Sequence, residues 1–168
     1  HPDSNALVDH LRIVHHKHTG FTEACARSCR DEAGRNSYEW LAEIVPHNES
    51  LNILDLACGS GPLLKILFDR NKNLNLKGID MCPEELNLAK KLLINSKVNL
   101  IESKAQNLSA IDDNSIDIVL CHWALTLMDP ITPVLDEVKR VLNNKGQFAA
   151  LIDGPMNICL LYTSPSPR

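Results

Sequence analysis

The sequence has 168 residues, 44% of them hydrophobic, enough for one domain with a substantial core and too few for two full ones. Seventeen basic residues against 21 acidic ones, a formal net charge of -4 and no long basic run argue against a footprint on duplex nucleic acid. No apolar run approaches the roughly 18 to 20 residues of a membrane span, and the first residues lack the order of a signal peptide.

Six cysteines, at positions 25, 29, 58, 82, 121 and 159, are scattered rather than framed. Beside a core of this size they read as reduced thiols of a soluble cytoplasmic protein. The chain begins at His1 without a methionine, as a fragment or processed product would. Its first 34 residues hold His10, His15, His16 and His18, then Cys25 and Cys29, which share a face if helical. Zinc is one reading of that cluster. The spacing matches no common finger, however, so the segment is read as a polar helix with incidental thiols, and no metal is assigned. Residues 37–45 are a clearer helix: Ser37 can cap it, Trp40, Leu41 and Ile44 lie on one face, and Pro46 follows.

Residues 52–68 organise the rest of the chain. Residues 53–57 form an apolar run broken only by Asp55, the pattern of a strand buried on both faces of a parallel sheet. Residues 58–61 then make a tight turn whose two glycines let a ligand lie against bare backbone, and Pro62 suits the first position of a helix. Strand, glycine turn and helix together make a nucleotide-type site. A dinucleotide fingerprint counted from Gly59 would place its third glycine at Leu64, and the G-K-S/T of a phosphate-cradling loop is absent. A turn of structural value alone is the remaining alternative.

The acid at Asp55 followed by Ala57, Gly59 and Gly61 resembles motif I of the S-adenosylmethionine-dependent methyltransferases of the Rossmann-like class, the type 11-like domain in particular. Ala57 stands where that motif usually has its first glycine. The second strand, residues 76–80, ends at Asp80, whose carboxylate can accept hydrogen bonds from both hydroxyls of a ribose. The alternative, an Asp that starts the next helix, is weakened because Cys82, Pro83, Glu84 and Glu85 already supply that start. Leu86, Ala89 and Leu93 give that helix its buried stripe.

A third strand spans residues 98–102. The following S-K-A-Q-N-L and S-I-D-I-V are similar to the family's D-A-x-x-L and S-F-D-x-V, with Lys104 in the place of an acid that contacts adenine. A lysine cannot accept from the adenine amino group, so Gln106 or a backbone carbonyl near Ala105 would have to. Asp117 reads as a turn anchor. The fourth strand, residues 116–121, delivers Cys121, His122 and Trp123 to the edge that carries Gly59 and Asp80. His122 is a candidate general base, with a packing role as its alternative, and Trp123 a candidate wall of the substrate pocket. Pro133 opens a helix with Val134, Leu135, Val138, Val141 and Leu142 inside, and R-V-L-N-N-K-G-Q-F resembles the family's R-V-L-K-P-G-G-x-F before a fifth strand, residues 147–152.

The resemblance implies an α/β Rossmann-like fold: an open, mostly parallel sheet with helices on both faces, its first five strands present and N-terminal helices ahead of them. It divides the chain into an N-terminal helical segment, 1–46, an incomplete cofactor-binding core, 47–156, and a non-native or unstructured tail, 157–168. It also implies S-adenosylmethionine as cofactor, held by Asp55, Ala57, Cys58, Gly59, Ser60 and Gly61 of the turn, Asp80 and Met81, Ala105 and Gln106, and Cys121 and His122. The implied reaction is transfer of the sulfonium methyl group to an O, N or C atom of a small-molecule acceptor. A cofactor-binding scaffold without turnover is the alternative, and a nicotinamide enzyme is a third reading, disfavoured by Leu64. A chain that stopped after the fifth strand would leave residues 147–152 as a bare, apolar sheet edge prone to self-association.

Overall fold

A computed structural model of the protein describes residues 15–18, 34–152 and 156–163. Its centre is a seven-stranded sheet of order β1-β7-β6-β5-β2-β3-β4. The strands are β1 (His15–His18), β2 (Asn52–Leu56), β3 (Asn75–Asp80), β4 (Asn99–Glu102), β5 (Ile116–His122), β6 (Leu142–Ile152) and β7 (Met156–Thr163). Strands β2 to β6 run parallel, while β7 pairs antiparallel with β6 and β1 antiparallel with β7. The five parallel strands are those expected from the sequence. The helices are α1 (Ser37–Ala42), α2 (Pro62–Arg70), α3 (Pro83–Leu92) and α4 (Ile131–Val141).

Period-two alternation sorts the strand residues onto two faces. Ile53, Leu76, Ile118, Leu120, Ala149 and Leu151 face one core, shared with Trp40 and Leu41 of α1, Leu63, Leu64 and Leu67 of α2, and Leu86 of α3. Leu54, Leu56, Ile79, Val119, Cys121, Phe148 and Ala150 face the other, closed by Val134, Val138 and Val141 of α4 and by Leu108 and Ile111. Both faces are covered, which is why the strands read as near-continuous apolar runs.

The two ends of the chain correct the sequence reading. Residues 157–168 were expected to be a non-native or unstructured tail; against the second of these, Met156–Thr163 is a strand whose partners run from Ile152↔Asn157 to Gln147↔Thr163. The edge of β6 is therefore covered rather than bare. His15–His18, expected in a polar helix, is a strand paired with residues 156–159. His10, Cys25 and Cys29 lie outside the described residues.

Helix starts differ from expectation at two helices: α4 begins at Ile131, two residues before Pro133, and Leu142, expected inside it, opens β6. Asn36, not Ser37, caps α1: its side chain accepts from the Glu39 N–H at 2.8 Å while Glu39 reaches back, a reciprocal capping box. Ser37 is freed for another partner. Asp117 ties the starts of β2 and β6 to β5, accepting from the Asn52 N–H at 2.7 Å and from the Asn143 side chain. Strand β6 starts at Leu142, directly after α4, and its register against β5 shifts between Ile116 and Ile118. That shift lets residues 143–146 join the strand ahead of the predicted 147–152.

A nucleotide-type cleft at the carboxyl edge of the sheet

The chain runs outward from β2 to β3 and β4, then returns to β5 on the other side of β2. The reversal leaves a crevice at the carboxyl ends of these strands, where open α/β sheets bind their ligands. A cleft of about 380 Å³ lies there, lined by Ala57 after β2, Ile79, Asp80 and Met81 at the end of β3, residues 103–106 after β4, and Ala124, Leu127, Met128 and Asp129 after β5. Its size falls within the range of small-molecule sites.

Local chemistry builds the floor. The Cys58 N–H donates to the Ile79 carbonyl at 2.8 Å, carrying the β2–β3 pairing one step past the strand. The chain then turns through left-handed backbone at Ala57 (φ 60), Gly59 (φ 55) and Gly61 (φ 88). Glycine tolerates that conformation and alanine does so at a cost. Leu64 of α2 fits where a third glycine might stand because β3 carries Gly78 opposite: a Cβ on Gly78 would lie 2.7 Å from Leu64 Cδ1 and 2.9 Å from Cys58 Sγ.

Asp80 is the polar centre of the cleft. Its Oδ2 accepts from the Gly59 N–H and its Oδ1 from the Cys82 N–H, each at 2.9 Å. The carboxylate thus also supports the start of α3, a role that the sequence reading judged unnecessary. One bond per oxygen leaves each a further acceptor site, so Asp80 remains able to take two ligand hydroxyls. Asp55, on the central strand, is 2% exposed, and burial first and the Asp80 charge second hold its carboxyl well above the usual carboxylate range.

The wall made by residues 103–106 is tied down from behind. Arg140 of α4 donates to the carbonyls of Leu108 at 2.8 Å and Ile111 at 3.0 Å, and pairs with Glu137 and Asp113. Glu137 in turn accepts from the Leu108 N–H at 2.7 Å. Gln106 crosses to the β5 side, donating from Nε2 to the Pro130 carbonyl at 3.2 Å.

Of the residues named from sequence, Ala57, Asp80, Met81, Ala105 and Gln106 line the cleft, and Gly59, Ser60 and Gly61 form the turn next to it. The side chains of Asp55, Cys58 and Cys121 are buried beneath. Burial pushes the Cys58 thiol far up and the Cys121 thiol up to about 12, so both are neutral packing groups.

His122 and Trp123 are corrected. The His122 ring stacks on Tyr38 at 3.9 Å, its Nε2 lies 2.8 Å from Ser37 Oγ, and burial pulls its pKa down to about 4. It fastens α1 to β5 instead of lining the cleft, and such a low pKa suits a base poorly at neutral pH. Trp123, its ring 5.0 Å from that of His122, packs into the core on the α1 side. The sequence reading missed Leu127, Met128 and Asp129, although the M-D-P run follows the fourth strand at a length that returns it to the cleft.

A cradle of this kind fits an adenosine-bearing group. Asp80 presents acceptors for a ribose, Ile79, Met81 and Leu127 give apolar wall for a flat base, and the turn at Gly59 exposes backbone. Fold and cleft define a Rossmann-like nucleotide-cofactor domain. Residues 54–150 match the family described as Methyltransferase domain, and the chain belongs to that family.

Over 108 residues, covering 61% of this chain and 45% of the relative, it is 35% identical to the ubiquinone/menaquinone biosynthesis C-methyltransferase UbiE of Campylobacter jejuni. It is 28% identical over 137 residues, 79% of this chain and 52% of the relative, to the malonyl-[acyl-carrier protein] O-methyltransferase of Pectobacterium atrosepticum. Among solved structures, the plantazolicin methyltransferase BpumL, crystallised with a triazolic desmethylPZN analog and SAH, superposes with a TM-score of 0.56. It is 25% identical, and the match covers 68% of this chain and 43% of that one. The chain spans about half the length of the curated relatives it matches.

Proposed function

We propose that this chain is the cofactor-binding part of an S-adenosylmethionine-dependent methyltransferase that acts on a small-molecule acceptor. The observation that carries the reading is Asp80, a carboxylate oriented by two backbone N–H groups at the lip of a cleft lined by apolar side chains. Bound there, the cofactor would supply a methyl group already activated on sulfonium. Asp80 would accept from both ribose hydroxyls, and the turn at residues 57–61 would meet the rest of the cofactor with backbone rather than side chains. Met81 and Leu127, 66% and 80% exposed, would exclude water from the base.

The chain's contribution to rate would be alignment. Among the described residues no histidine lines the cleft, and an acceptor that must lose a proton would need a base from elsewhere. Small-molecule acceptors are supported by the named activities of the relatives and by the acidic balance of the chain. The same balance speaks against duplex nucleic acid, and among the described residues no helix is long and apolar enough to cross a membrane. Cys58, Cys82 and Cys121 are free thiols, in keeping with a cytoplasmic setting.

A second reading, a domain that holds cofactor without turnover, is favoured by His122, whose half-buried ring packs against α1 instead of standing in the cleft. Calorimetric titration with S-adenosylmethionine, S-adenosylhomocysteine and NAD separates these readings from a nicotinamide enzyme. The two sulfur compounds should bind and NAD should not; tight NAD binding alone would refute both.

A further inference from the structure

The cleft contains an acidic side chain that the reading above gives no task. Two stretches far apart in sequence line it, residues 103–106 after β4 and Ala124, Leu127, Met128 and Asp129 after β5. Gln106 joins them through its hydrogen bond to the Pro130 carbonyl at 3.2 Å. That bond sets Asp129, the neighbour of Pro130, beside the stretch that carries Lys104.

The donors and acceptors at this end are unevenly committed. The Ser103 hydroxyl donates to the carbonyls of Asn107 and Lys104, at 2.5 and 3.2 Å. The Gln106 amide nitrogen is taken by Pro130, which fixes how that amide points. Lys104 offers donors only. A base with an exocyclic amino group presents a donor beside acceptor ring nitrogens, so it needs one of each kind from the protein. Asp129 is exposed, lines the cleft and is paired with no other described side chain. Its carboxylate is a stronger acceptor than the neutral Gln106 amide oxygen, because an ionised partner roughly doubles the strength of a hydrogen bond.

We propose that Asp129 and Lys104 read the base of the cofactor as a pair, Asp129 accepting from the exocyclic amino group and Lys104 donating to a ring nitrogen. Asp129 is then a specificity-determining residue, and it does from the β5 side what Lys104 cannot do from the β4 side. This inference rests on the cofactor reading above.

The test is calorimetric titration of the full chain with S-adenosylhomocysteine and with S-inosylhomocysteine, in which a carbonyl replaces the amino group. The unsubstituted protein should prefer the adenosyl compound about tenfold or more, the value of one charge-assisted hydrogen bond. Asp129→Ala should lose that preference, weakening adenosyl binding while inosyl binding holds or improves. Asp129→Asn, which keeps a neutral acceptor, should recover part of it. Asp80→Ala, acting on the ribose, should weaken both compounds by the same factor. The pairing is overturned if Asp129→Ala changes neither compound or both equally, or if Gln106→Ala erases the preference instead. Equal affinity of the unsubstituted protein for both compounds overturns the base reading alone, whereas failure to bind either brings down the cofactor reading with it.

Discussion

The carboxyl edge of the sheet carries two polar clusters that have met different fates. At the end of β3, Asp80 is held by two backbone N–H groups and still faces the cleft with unused acceptor capacity. At the end of β5, His122 is spent on the protein itself, hydrogen-bonded to Ser37 and stacked on Tyr38. The difference is cover. Helix α1 packs against the end of β5, whereas among the described residues Asp80 faces the open cleft. A polar residue at the carboxyl end of a parallel strand is therefore open to a ligand only where no other element has claimed it.

If that contrast is right, His122→Ala should cost stability and spare binding. It removes a stacked, half-buried ring and one hydrogen bond to the Ser37 hydroxyl, a loss of about 3 kcal/mol. Chemical denaturation should show it, while affinity for S-adenosylhomocysteine stays within about threefold. A large loss of affinity in a folded variant would break the comparison by placing His122 in the ligand site.

Acid titration sharpens the same point. In the unfolded chain His122 takes up a proton near its ordinary 6.5, but the folded chain refuses it until about 4. Stability should fall as the pH drops through that window, by roughly 3 kcal/mol from this residue, and His122→Gln should remove the slope. Asp55 acts in the opposite sense. Its folded carboxyl protonates above the ordinary value, so it adds stability as the pH falls from its raised value toward 3.8. In Asp55→Asn, denaturation curves should therefore steepen in acid.

On the other side of the comparison, Asp80→Ala should weaken S-adenosylhomocysteine binding at least tenfold, about 1.5 to 3 kcal/mol, by removing both ribose acceptors. Because Gly59 and Cys82 also lose their acceptor, a smaller stability loss of about 1 kcal/mol should accompany it. Unchanged affinity in the folded variant would end the ribose assignment. The smallest effect belongs to Ala57, which holds φ 60 where the resembled motif has glycine. Ala57→Gly should stabilise by about 0.5 to 1 kcal/mol in thermal unfolding, since it relieves a left-handed strain.

What the sequence made legible was local. The run from Asp55 to Gly61, Asp80 at its strand end, and the stripes of Leu86, Ala89, Val134 and Val138 are each written within one or two elements, and they fall where expected. What it hid depends on distant partners. Ser37 carries the ordinary signal of a helix cap, and only the His122 ring, 85 residues on, shows why Asn36 takes that task. Trp123 follows the right strand but turns into the α1-side core at φ 54, an uncommon backbone for a bulky residue that no pattern foretold. The run N-I-C-L-L-Y-T has the apolar, β-favouring character of a strand, and its pairing to β6 outweighs the proline-rich residues behind it.

The outermost pairing, His18↔Met156 to His15↔Cys159, also fixes an order of events. Strand β1 has β7 as its neighbour in the sheet, so it cannot dock until β7 has been synthesised and laid against β6. Closing so long a loop is entropically costly, and contacts of such high sequence separation form late. The parallel core can assemble in step with translation while β1 waits, and β1 should be the first strand to open again. Amide exchange should record that hierarchy, with protection weakest in β1 and greatest in β2 and β5.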